Sequence, residues 1–576
     1  MGEIRAIIHD ATTGRWLRFS GLRLVLEARA VSEVMELFRE VERLVEGGLY
    51  AVGFVSYEAA PACDAALKVR PGRRNFPLVW FGIYEEAEHC ELDEAEGEPG
   101  SMDWQADLND AEYADKIGRV REYIAAGDTY QVNFSYRLHG KDGGNPYALW
   151  RALIERQQCR YGAFIETDEW AICSASPELF FSLDGEHLVS KPMKGTAARG
   201  LWPEQDRLRA RELAACEKNR AENVMIVDMV RNDMGRIARK GSVRVASLFD
   251  TERYPTLWQM VSTVECESGA SMGEIMGALF PAASITGAPK VRTMEIIAEL
   301  ESSPRHIYTG SVGFVMPGRR MQFNVAIRTV LEDKARGEME YGVGGGIVWD
   351  SDAALEQAEC RTKALVLGGG LPDFSLLETL LWTKEEGYYL LDRHLKRMTD
   401  SAEYFGWAMD ADAVRAALEK AAQDFCGERY RVRLLVGHHG TIRIEPTELA
   451  GAGTKQWTLC LAKEAVDSRD VFLYHKTTHR QTYEAAKAAA PECNDVLLHN
   501  ERDELTESCI ANLVVEKDGQ LLTPPVECGL LAGTARQEML ENGKITEAII
   551  QKENLPQCTR LFLLNSVRGL WEVRLS

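Results

Sequence analysis

The sequence predicts an α+β protein with large antiparallel sheets. Short β-rich runs alternate with helical stretches, but without the regular βαβ rhythm of a doubly wound sheet. At 576 residues the chain is too long for one small core. Three glycines and a proline at 367–373 cannot sustain a helix or a central strand. We therefore predict one domain over 1–366, a linker at 367–373 and a second domain over 374–576.

The charge balance excludes several classes of partner. The 88 acidic and 67 basic residues give a net charge of −21, which argues against nucleic acid or an anionic membrane as the main partner. No apolar run is long enough to span a membrane, and the first residues lack a signal-peptide core. The 13 cysteines form no CxxC pair, so we expect a reduced, cytoplasmic protein without disulfides.

The first domain begins with a clear order of elements. Apolar residues at helical spacing predict a helix over Ser32–Glu46, followed by a buried strand over Leu49–Tyr57. The acidic segment 88–105 is interpreted as a loop. A second helix is predicted over Glu112–Ala125, and the alternating sequence of Asp128–Leu138 predicts a strand.

Several charged residues of this domain are candidates for chemistry. Lys194 follows an apolar strand, where a lysine could act as a nucleophile of lowered pKa, although a surface lysine is the simpler interpretation. Glu356 and Glu359 share one helix face, which alone indicates only a solvated surface. Glu222 lies in a strongly apolar helix, and carboxylates from two helices could share Mg²⁺.

Three further features could hold an anion. Gly342–Gly346 fails the GxGxxG pattern and is interpreted as a turn before a helix. Lys290 follows a hydroxyl- and glycine-rich loop that enters a helix, where backbone amides could bind a carboxylate. Arg328 is interpreted as a lone cation in a β-branched strand, and a buried arginine needs an anionic partner.

An ordered set of motifs in this domain resembles the chorismate-utilising enzymes. The motifs are SASPELFF (174–181), KPMKGT (191–196), AENVMIVDMVRND (221–233), SITGAPK (284–290), IRT (327–329) and GVGGGIVWDS (342–351). This family includes component I of anthranilate synthase, component I of aminodeoxychorismate synthase, and the isochorismate and salicylate synthases. The lysine in KPMKGT resembles the aminodeoxychorismate type, because anthranilate synthases carry a small residue there.

The resemblance implies a role for each matching residue. Lys194 would add to C2 of chorismate and expel the C4 hydroxyl, with Glu178 as general acid/base; ammonia would then attack C4 and displace the lysine from C2. The implied magnesium ligands are Glu222 and Glu359, with Glu356 in the water shell. The implied carboxylate-binding residues are Thr286, Gly287, Lys290 and Arg328.

Two departures from the family pattern stand beside these matches. Gln259 occupies a position where some relatives have histidine, and Ala282 and Ala283 replace two glycines of the family loop. No cysteine has the Gly-x-Cys-x-Gly context of an amidotransferase nucleophile. We therefore expect ammonia to come from solution or from a separate glutamine amidotransferase subunit.

The second domain contains the parts of a carbonyl-cofactor site. Lys476 follows the apolar run Val471–Tyr474, interpreted as a strand, which suits a Schiff-base lysine. Asp495–Glu507 predicts a hairpin that ends in a carboxylate. The turn Gly533-Thr534 at a helix start, together with Arg397, could hold a phosphate. His475 and His479 have helical metal-ligand spacing, but without a third ligand a metal there is not expected.

These motifs resemble the fold-type IV pyridoxal-phosphate enzymes, which include aminotransferases and aminodeoxychorismate lyase. The resemblance assigns Lys476 as the Schiff-base lysine, Glu507 to the pyridine nitrogen, and Arg397, Gly533 and Thr534 to the phosphate. The segment Asn565–Leu570 looks like the lyase subgroup, with Ser566 and Arg568 near substrate, although a surface loop is an equal interpretation.

Together the two domains imply one short reaction sequence. The first would make 4-amino-4-deoxychorismate from chorismate and ammonia, and the second would eliminate pyruvate to give 4-aminobenzoate for folate synthesis. The alternative is an anthranilate synthase component I fused to a branched-chain or D-amino-acid aminotransferase. The expected cofactors are Mg²⁺ and pyridoxal 5′-phosphate, and pairing of two chains through the second domain is a further expectation.

Overall fold

A computed structural model describes residues 4–73, 76–97, 99, 103–141, 144–368, 371–449 and 457–576. The chain divides into two compact units. Unit 1 comprises Met1–Arg199 and Arg209–Leu371, and unit 2 comprises Gly200–Leu208 and Pro372–Ser576. Residues 369 and 370 of the predicted linker lie outside the described residues.

Unit 1 is built on one large sheet. Across the described residues, eighteen strands join this sheet, and their pairings run antiparallel, as between β6 and β18. The strands are β1 (Arg5–Asp10), β2 (Arg15–Ala28), β3 (Tyr50–Val55), β4 (Val79–Cys90), β5 (Gln105–Ala106), β6 (Gln131–Lys141), β7 (Tyr161–Glu166), β8 (Trp170–Ser176), β9 (Leu179–Asp184), β10 (His187–Lys191), β11 (Met193–Ala198), β12 (Arg244–Arg253), β13 (Leu257–Glu267), β14 (Gly287–Ala288), β15 (Ser311–Met316), β16 (Arg320–Asn324), β17 (Thr329–Asp333) and β18 (Glu338–Ile347).

Helices cover this sheet with their apolar faces. They are α1 (Val31–Glu46), α2 (Ala60–Cys63), α3 (Asp110–Ala125), α4 (Pro146–Gln157), α5 (Pro203–Ala215, whose first residues belong to unit 2), α6 (Glu217–Gly235), α7 (Met272–Leu279), α8 (Lys290–Leu300) and α9 (Ala353–Ala364). In α1 the buried side chains Val34, Leu37, Phe38 and Val41 recur at helical spacing, so this helix packs as its sequence predicts.

Unit 2 has two smaller sheets. The first contains β19 (Leu376–Thr383), β20 (Gly387–Tyr388), β21 (Arg429–Val436) and β22 (Ile442–Glu448). The second contains β23 (Trp457–Leu461), β24 (Asp495–His499), β25 (Leu505–Ser508), β26 (Asn512–Lys517), β27 (Gln520–Thr523), β28 (Thr546–Glu547), β29 (Arg560–Asn565) and β30 (Gly569–Leu575). The helices are α10 (Leu391–Phe405), α11 (Ala411–Ala422), α12 (Gln481–Ala488) and α13 (Thr534–Glu541). The predicted α+β class is confirmed.

Four local predictions are wrong. Gly342–Gly346 is not a turn but part of β18, paired along β6. Arg328 does not lie inside a strand; it connects β16 to β17 with a φ of +53°. Val471–Leu473 forms a short 3₁₀ turn instead of a strand, and residues 88–90 continue β4. Short apolar or β-branched runs are compatible with several conformations, and only their tertiary neighbours choose one.

The expectation of a chain without disulfides is also wrong. Cys460 in β23 and Cys493 just before β24 are bonded, with their Cα atoms 5.8 Å apart. These strands are parallel neighbours, so residues 33 positions apart in sequence become adjacent in space. Among the helices of the described ranges, none has the length and apolar character required to cross a membrane.

Candidate active sites

Unit 1 contains a cavity of about 170 Å³ that gathers distant parts of the sequence. Six of the predicted site residues line it: Glu178, Lys194, Glu222, Arg328, Glu356 and Glu359. They come from the segment before β9, from β11, α6 and α9, and from the connection before β17. The sheet and its covering helices therefore assemble this site from residues that no local motif connects.

Lys194 is the central cation of this cavity. Its side chain is only 12 % exposed, and Nζ lies 3.9 Å from Oε2 of Glu222. Burial lowers the pKa of the amine, while the charge of Glu222 opposes that shift. A lysine with a lowered pKa has more of its free-base form available as a nucleophile near neutral pH.

The glycine run in β18 makes room for this amine. A Cβ at Gly346 would lie 1.9 Å from Nζ of Lys194, far inside van der Waals contact. A Cβ at Gly345 would lie 3.2 Å from Oε2 of Glu356. Glycine is therefore needed at these positions because the side chains of Lys194 and Glu356 approach the strand closely, and not because the backbone turns there.

Glu178 is a buried carboxyl beside this lysine in the same cavity. Its side chain is 3 % exposed, and Oε1 accepts hydrogen bonds from Oγ of Ser284 at 2.6 Å and from the backbone N–H of Met193 at 3.4 Å. Burial raises the pKa of Glu178 to about 7. A carboxyl that titrates near neutral pH can both give and take a proton under working conditions.

Three carboxylates and a second lysine also line this cavity: Glu222, Glu356, Glu359 and Lys363. Nζ of Lys363 lies 2.7 Å from Oε1 of Glu359 and donates to the carbonyl oxygen of Gly344. The Lys363 charge lowers the pKa of Glu359, whereas burial raises the pKa of Glu356, which accepts a hydrogen bond from Ser351 at 2.7 Å. Glu222 faces Lys194 as described above.

The donor chemistry of this lining fits a hard divalent cation. Carboxylate oxygens are the ligands that Mg²⁺ prefers, and the ion usually takes one or two of them and keeps several waters. Among the described residues, Glu222, Glu356 and Glu359 are not grouped with their ligand oxygens all within 4.8 Å of one another. The lining would thus hold the ion through some of these carboxylates and through water.

The other predicted carboxylate-binding residues lie elsewhere. Within the described chain, Thr286, Gly287 and Lys290 are not among the residues that line the cavity. Nζ of Lys290 is 2.9 Å from Oδ2 of Asp233, and the hydroxyl of Thr286 donates to backbone carbonyls of its own loop. Arg328 does line the cavity, and its Nη1 donates to the carbonyl oxygen of Lys363 at 2.6 Å. Their carboxylate-binding role stays a prediction.

Two supporting residues were not predicted. Ser284, known from sequence only as part of a loop motif, holds the Glu178 carboxyl. Gln259 donates from Nε2 to the carbonyl oxygen of Gly195 at 2.9 Å and lies 3.3 Å from the hydroxyl of Thr196. It therefore supports the backbone of β11 just after Lys194. The only sequence signal for this role is that some relatives have histidine at the position of Gln259.

Unit 2 contains a larger cavity of about 1190 Å³. All five predicted cofactor residues line it, namely Arg397, Lys476, Glu507, Gly533 and Thr534, together with Ser566 and Arg568. Lys476 is half-buried, and its desolvation lowers the pKa of its amine to about 8, helped by the charge of Arg397. Such an amine is well suited to condense with a carbonyl.

Glu507 is held at the end of the predicted hairpin. Oε1 accepts from the hydroxyl of Tyr483 at 2.9 Å and from the N–H of Leu531 at 3.1 Å, and Oε2 accepts from Nδ2 of Asn512 at 3.1 Å. Burial raises the pKa of Glu507 to about 7. Oε2 has one protein donor, so it retains an acceptor position for a protonated ring nitrogen.

Arg397 is fixed by a buried ionic network. Its Nε and Nη2 donate to Glu378 at 2.8 and 2.6 Å, and Nη1 donates to the carbonyl oxygen of Ala532 at 3.0 Å. His394 also contacts Glu378 at 2.6 Å and lies 3.2 Å from the hydroxyl of Thr534. The charges of Arg397 and His394 hold the pKa of Glu378 far below its usual range despite burial.

The start of α13 also lines this cavity and can bind an anion. Gly533 is its N-cap, and a Cβ there would lie 1.9 Å from Oδ1 of Asn512. Backbone N–H groups at a helix start favour an anion. The residues of this cavity fit the groups of pyridoxal phosphate. Glu507 can pair with the ring nitrogen, Lys476 can react with the aldehyde, and the start of α13 can bind the phosphate.

Further cations line the same cavity. Arg429, Arg431 and Arg433 alternate along β21 and thus point to one side of the sheet, and Arg480 and Arg574 lie nearby. The guanidinium of Arg568 stacks 4.3 Å from the ring centroid of Trp457. This lining is strongly positive although the whole chain is acidic.

Two protein families match the sequence, one over each part of the chain. The sequence profile of the chorismate binding enzymes matches residues 6–367, and that of amino-transferase class IV matches residues 375–575. The chain therefore belongs to the chorismate binding enzyme family and carries a class IV aminotransferase region behind it.

Two kinds of synthase are among the relatives of this chain. The chain is 42 % identical over 262 residues to aminodeoxychorismate synthase component 1 of Klebsiella aerogenes, which covers 45 % of this chain and 58 % of that protein. It is 37 % identical over 279 residues to anthranilate synthase component 1 of Aquifex aeolicus, covering 48 % of this chain and 56 % of that protein. The chain thus spans a little over half the length of these relatives.

A solved structure supports the fold. The chain aligns with anthranilate synthase component I of Streptococcus pneumoniae at a TM-score of 0.54 and 22 % identity, covering 64 % of this chain and 92 % of that one.

Proposed function

We propose that unit 1 converts chorismate and ammonia to 4-amino-4-deoxychorismate and that unit 2 eliminates pyruvate from this product to give 4-aminobenzoate. The observation that carries the first half is a buried amine, Lys194, in one cavity with the acid/base carboxyl Glu178. An anthranilate-type reaction needs no such nucleophile, so the amine favours the aminodeoxychorismate type. The relatives that bear that name support the same choice.

The steps of the first reaction follow from these groups. The free amine of Lys194 forms a bond to C2 of chorismate, the ring double bonds shift, and the C4 hydroxyl leaves as water with a proton from Glu178. Ammonia then attacks C4, the double bonds shift back, and the lysine nitrogen leaves C2. Mg²⁺ would be held by Glu222, Glu356 and Glu359 and would offset the negative charge of a substrate carboxylate next to these glutamates.

Two different sources could supply the ammonia. We propose a separate glutamine amidotransferase subunit, since no cysteine of the sequence has the nucleophile context of such an enzyme. Glutamine-dependent turnover by the purified chain alone would contradict this.

For the second reaction, bound pyridoxal phosphate would supply the electron sink. Lys476 is positioned to take the proton from C4 of the amino substrate, after which the C3–O bond to the enolpyruvyl group breaks and the ring becomes aromatic. The arginines along β21 support a substrate with two carboxylates, because they provide more positive charge than one phosphate needs. Arg433 is paired with Glu445 at 3.1 Å, so Arg429 and Arg431 are the two that would meet the second carboxylate.

Product analysis tests both halves. Purified chain is incubated with chorismate, ammonium, Mg²⁺ and pyridoxal phosphate, and products are separated by chromatography with mass detection. We expect 4-aminobenzoate and one equivalent of pyruvate. Formation of 2-aminobenzoate would support the anthranilate alternative and overturn the first half. Conversion of added 2-oxo acids to amino acids in place of pyruvate release would overturn the second half.

The exposed Lys240 offers a matched control for both lysines, since it lies on the surface of unit 1. K240A should retain wild-type turnover in each assay.

A further inference from the structure

His394 in α10 lies between a carboxylate and a hydroxyl, and all three groups are buried. Its Nδ1 is 2.6 Å from Oε2 of Glu378, and its Nε2 is 3.2 Å from the hydroxyl oxygen of Thr534. His394 and Glu378 are 1 % exposed, and Thr534 is 3 % exposed. Thr534 also lines the cavity of unit 2, at the helix start that can bind an anion. The ring therefore connects the buried ionic network to the anion-binding position.

The charge of Glu378 sets the direction of both hydrogen bonds. Glu378 accepts two hydrogen bonds from Arg397 and stays ionised, since its pKa lies far below the usual range. An ionised carboxylate can only accept, so Nδ1 of His394 carries a hydrogen. A neutral imidazole has one N–H, so Nε2 is then an acceptor and the hydroxyl of Thr534 donates to it. In this state the ring uses the hydroxyl hydrogen, which is not available to a ligand.

The surroundings of His394 favour this neutral ring. Burial lowers the pKa of His394, and the charge of Glu378 on β19 opposes that shift. The charges of Arg397 on the same helix and of Lys476 before α12 add to the lowering. Ion pairs that join α10 to α11 and α13 lie at the surface: Arg415 with Asp392, and Arg393 with Glu541. Near neutral pH the ring is therefore uncharged.

A bound phosphate requires the opposite arrangement. Phosphate oxygens are strong acceptors, so the Thr534 hydroxyl can bind one only by donating to it. The hydroxyl then no longer donates to Nε2 of His394, and two lone pairs face each other unless Nε2 gains a proton. The protonated ring would donate to Glu378 through Nδ1 and to Thr534 through Nε2. Its positive charge would lie between the carboxylate and the phosphate.

We propose that His394 couples binding of the cofactor phosphate to the uptake of one proton, by donating to Thr534 only when the phosphate is bound. This proposal rests on the proposed function of unit 2, because it takes pyridoxal phosphate as the ligand. Solvent supplies the proton to Nε2, and the hydroxyl of Thr534 turns its hydrogen bond from the ring to a phosphate oxygen. His394 is a positioning residue, since it acts on the phosphate through Thr534.

Titration calorimetry measures this proton uptake directly, when cofactor-free protein is titrated in buffers of different ionisation enthalpy. The ligand is pyridoxamine 5′-phosphate, which keeps the phosphate but has no aldehyde to react with Lys476. At about pH 7.5 the free phosphate ester is mostly the dianion, because its second pKa is about 6. Protons taken up by the pyridine ring and Glu507 should be the same in each variant, so they cancel in the comparison.

Four variants separate the hydroxyl route from structural effects. Thr534→Val removes the hydroxyl, and His394→Gln keeps an N–H donor that cannot titrate, so both should take up about one proton fewer than the unmodified protein. Thr534→Ser keeps the hydroxyl and should keep the uptake. His499→Gln is the matched control and should also keep it, since His499 is buried in β24 and is not among the described residues that line this cavity. Equal uptake in the unmodified protein and Thr534→Val, or loss of uptake in Thr534→Ser, would overturn the proposal.

The affinity for the same ligand should depend on pH in a matching way. Because the bound phosphate raises the pKa of His394, the gain in affinity is complete below the pKa of the free protein and is lost as the pH rises through the pKa of the bound protein. Between these two values the affinity of the unmodified protein should fall, relative to that of His394→Gln, by up to about tenfold per pH unit. A constant ratio of the two dissociation constants would contradict the proposal.

The two proposals fail in different ways. If the unmodified protein binds neither pyridoxal phosphate nor pyridoxamine phosphate, the proposed cofactor of unit 2 is wrong. If both bind and Thr534→Val takes up as many protons as the unmodified protein, only the role of His394 is wrong.

Discussion

The two cavities each contain a partly buried lysine, but the charges around it differ, because the lining of unit 1 contains as many carboxylates as cations and that of unit 2 is mostly cationic. Lys194 faces Glu222, with Glu356 and Glu359 nearby, whereas Lys476 shares its cavity with Arg397 and a row of arginines. Carboxylates oppose the effect of burial on the Lys194 pKa, while arginine adds to it for Lys476. The neighbouring carboxylate of Glu222 therefore opposes the lowering of the Lys194 pKa, whereas the neighbouring Arg397 reinforces the lowering of the Lys476 pKa.

This contrast indicates how each unit accepts an anionic ligand. The carboxylates of Glu222, Glu356 and Glu359 repel a dicarboxylate unless a cation is bound between them and the substrate, so unit 1 is expected to need Mg²⁺. The positive lining of unit 2 attracts anions by itself, even though the chain carries a net charge of −21. Local charge placement, and not overall charge, decides what each cavity binds.

The largest effects should come from removing each lysine separately. K194A should lower chorismate consumption by about 10³-fold or more, and K476A should lower pyruvate release to the same degree while 4-amino-4-deoxychorismate accumulates. Product quantification by mass spectrometry checks both, with K240A as control. If K194A retains full synthesis, the amine is not the nucleophile.

The next largest effect should come from removing the acid/base carboxyl of Glu178. Glu178→Gln should reduce synthesis about 10²- to 10⁴-fold. Since the pKa of Glu178 is about 7, its acid form is present below that pH and is lost above it, so the wild-type rate should fall as pH rises beyond 7. A pH–rate profile measured with excess ammonium tests this, and the residual activity of Glu178→Gln should lack that limb.

The buried network in unit 2 should be costly to break. Glu378→Gln leaves Arg397 without its carboxylate and should destabilise the protein by about 3–5 kcal/mol and weaken cofactor retention. The control is Asp392→Asn, which breaks an exposed pair with Arg415 and should change the free energy of unfolding far less, because solvent screens that pair. Chemical denaturation and the cofactor absorbance report the two effects; equal costs would contradict the buried role.

Removal of Mg²⁺ by a chelator should lower the activity of unit 1 and leave that of unit 2 unchanged. EDTA should lower synthesis by unit 1, and Glu222→Gln should raise the Mg²⁺ concentration needed for half activity about 10- to 100-fold. Lyase activity on supplied 4-amino-4-deoxychorismate should be unaffected by either treatment. Loss of lyase activity in EDTA would break the contrast between the two linings.

Much of this site was predictable because its residue types carry their chemistry in short motifs. Lys476, Glu507 and Gly533-Thr534 follow one another in recognisable local patterns, and all line one cavity. Lys194 and Glu178 likewise stand in distinct motifs. Thr286, Gly287 and Lys290 share a motif equally well, yet they do not line the cavity among the described residues, because a motif does not specify which way its side chains point.

The sequence by itself determined the α+β class, the presence of two catalytic regions and the residues with reactive groups, since composition, periodicity and motif order are local properties. Only the tertiary structure decided that the glycine run belongs to a strand that leaves space for an amine, that Arg328 connects two strands, and that Cys460 meets Cys493. Each of these depends on contacts between strands distant in sequence, and such contacts set burial and electrostatic environment, which no local pattern encodes.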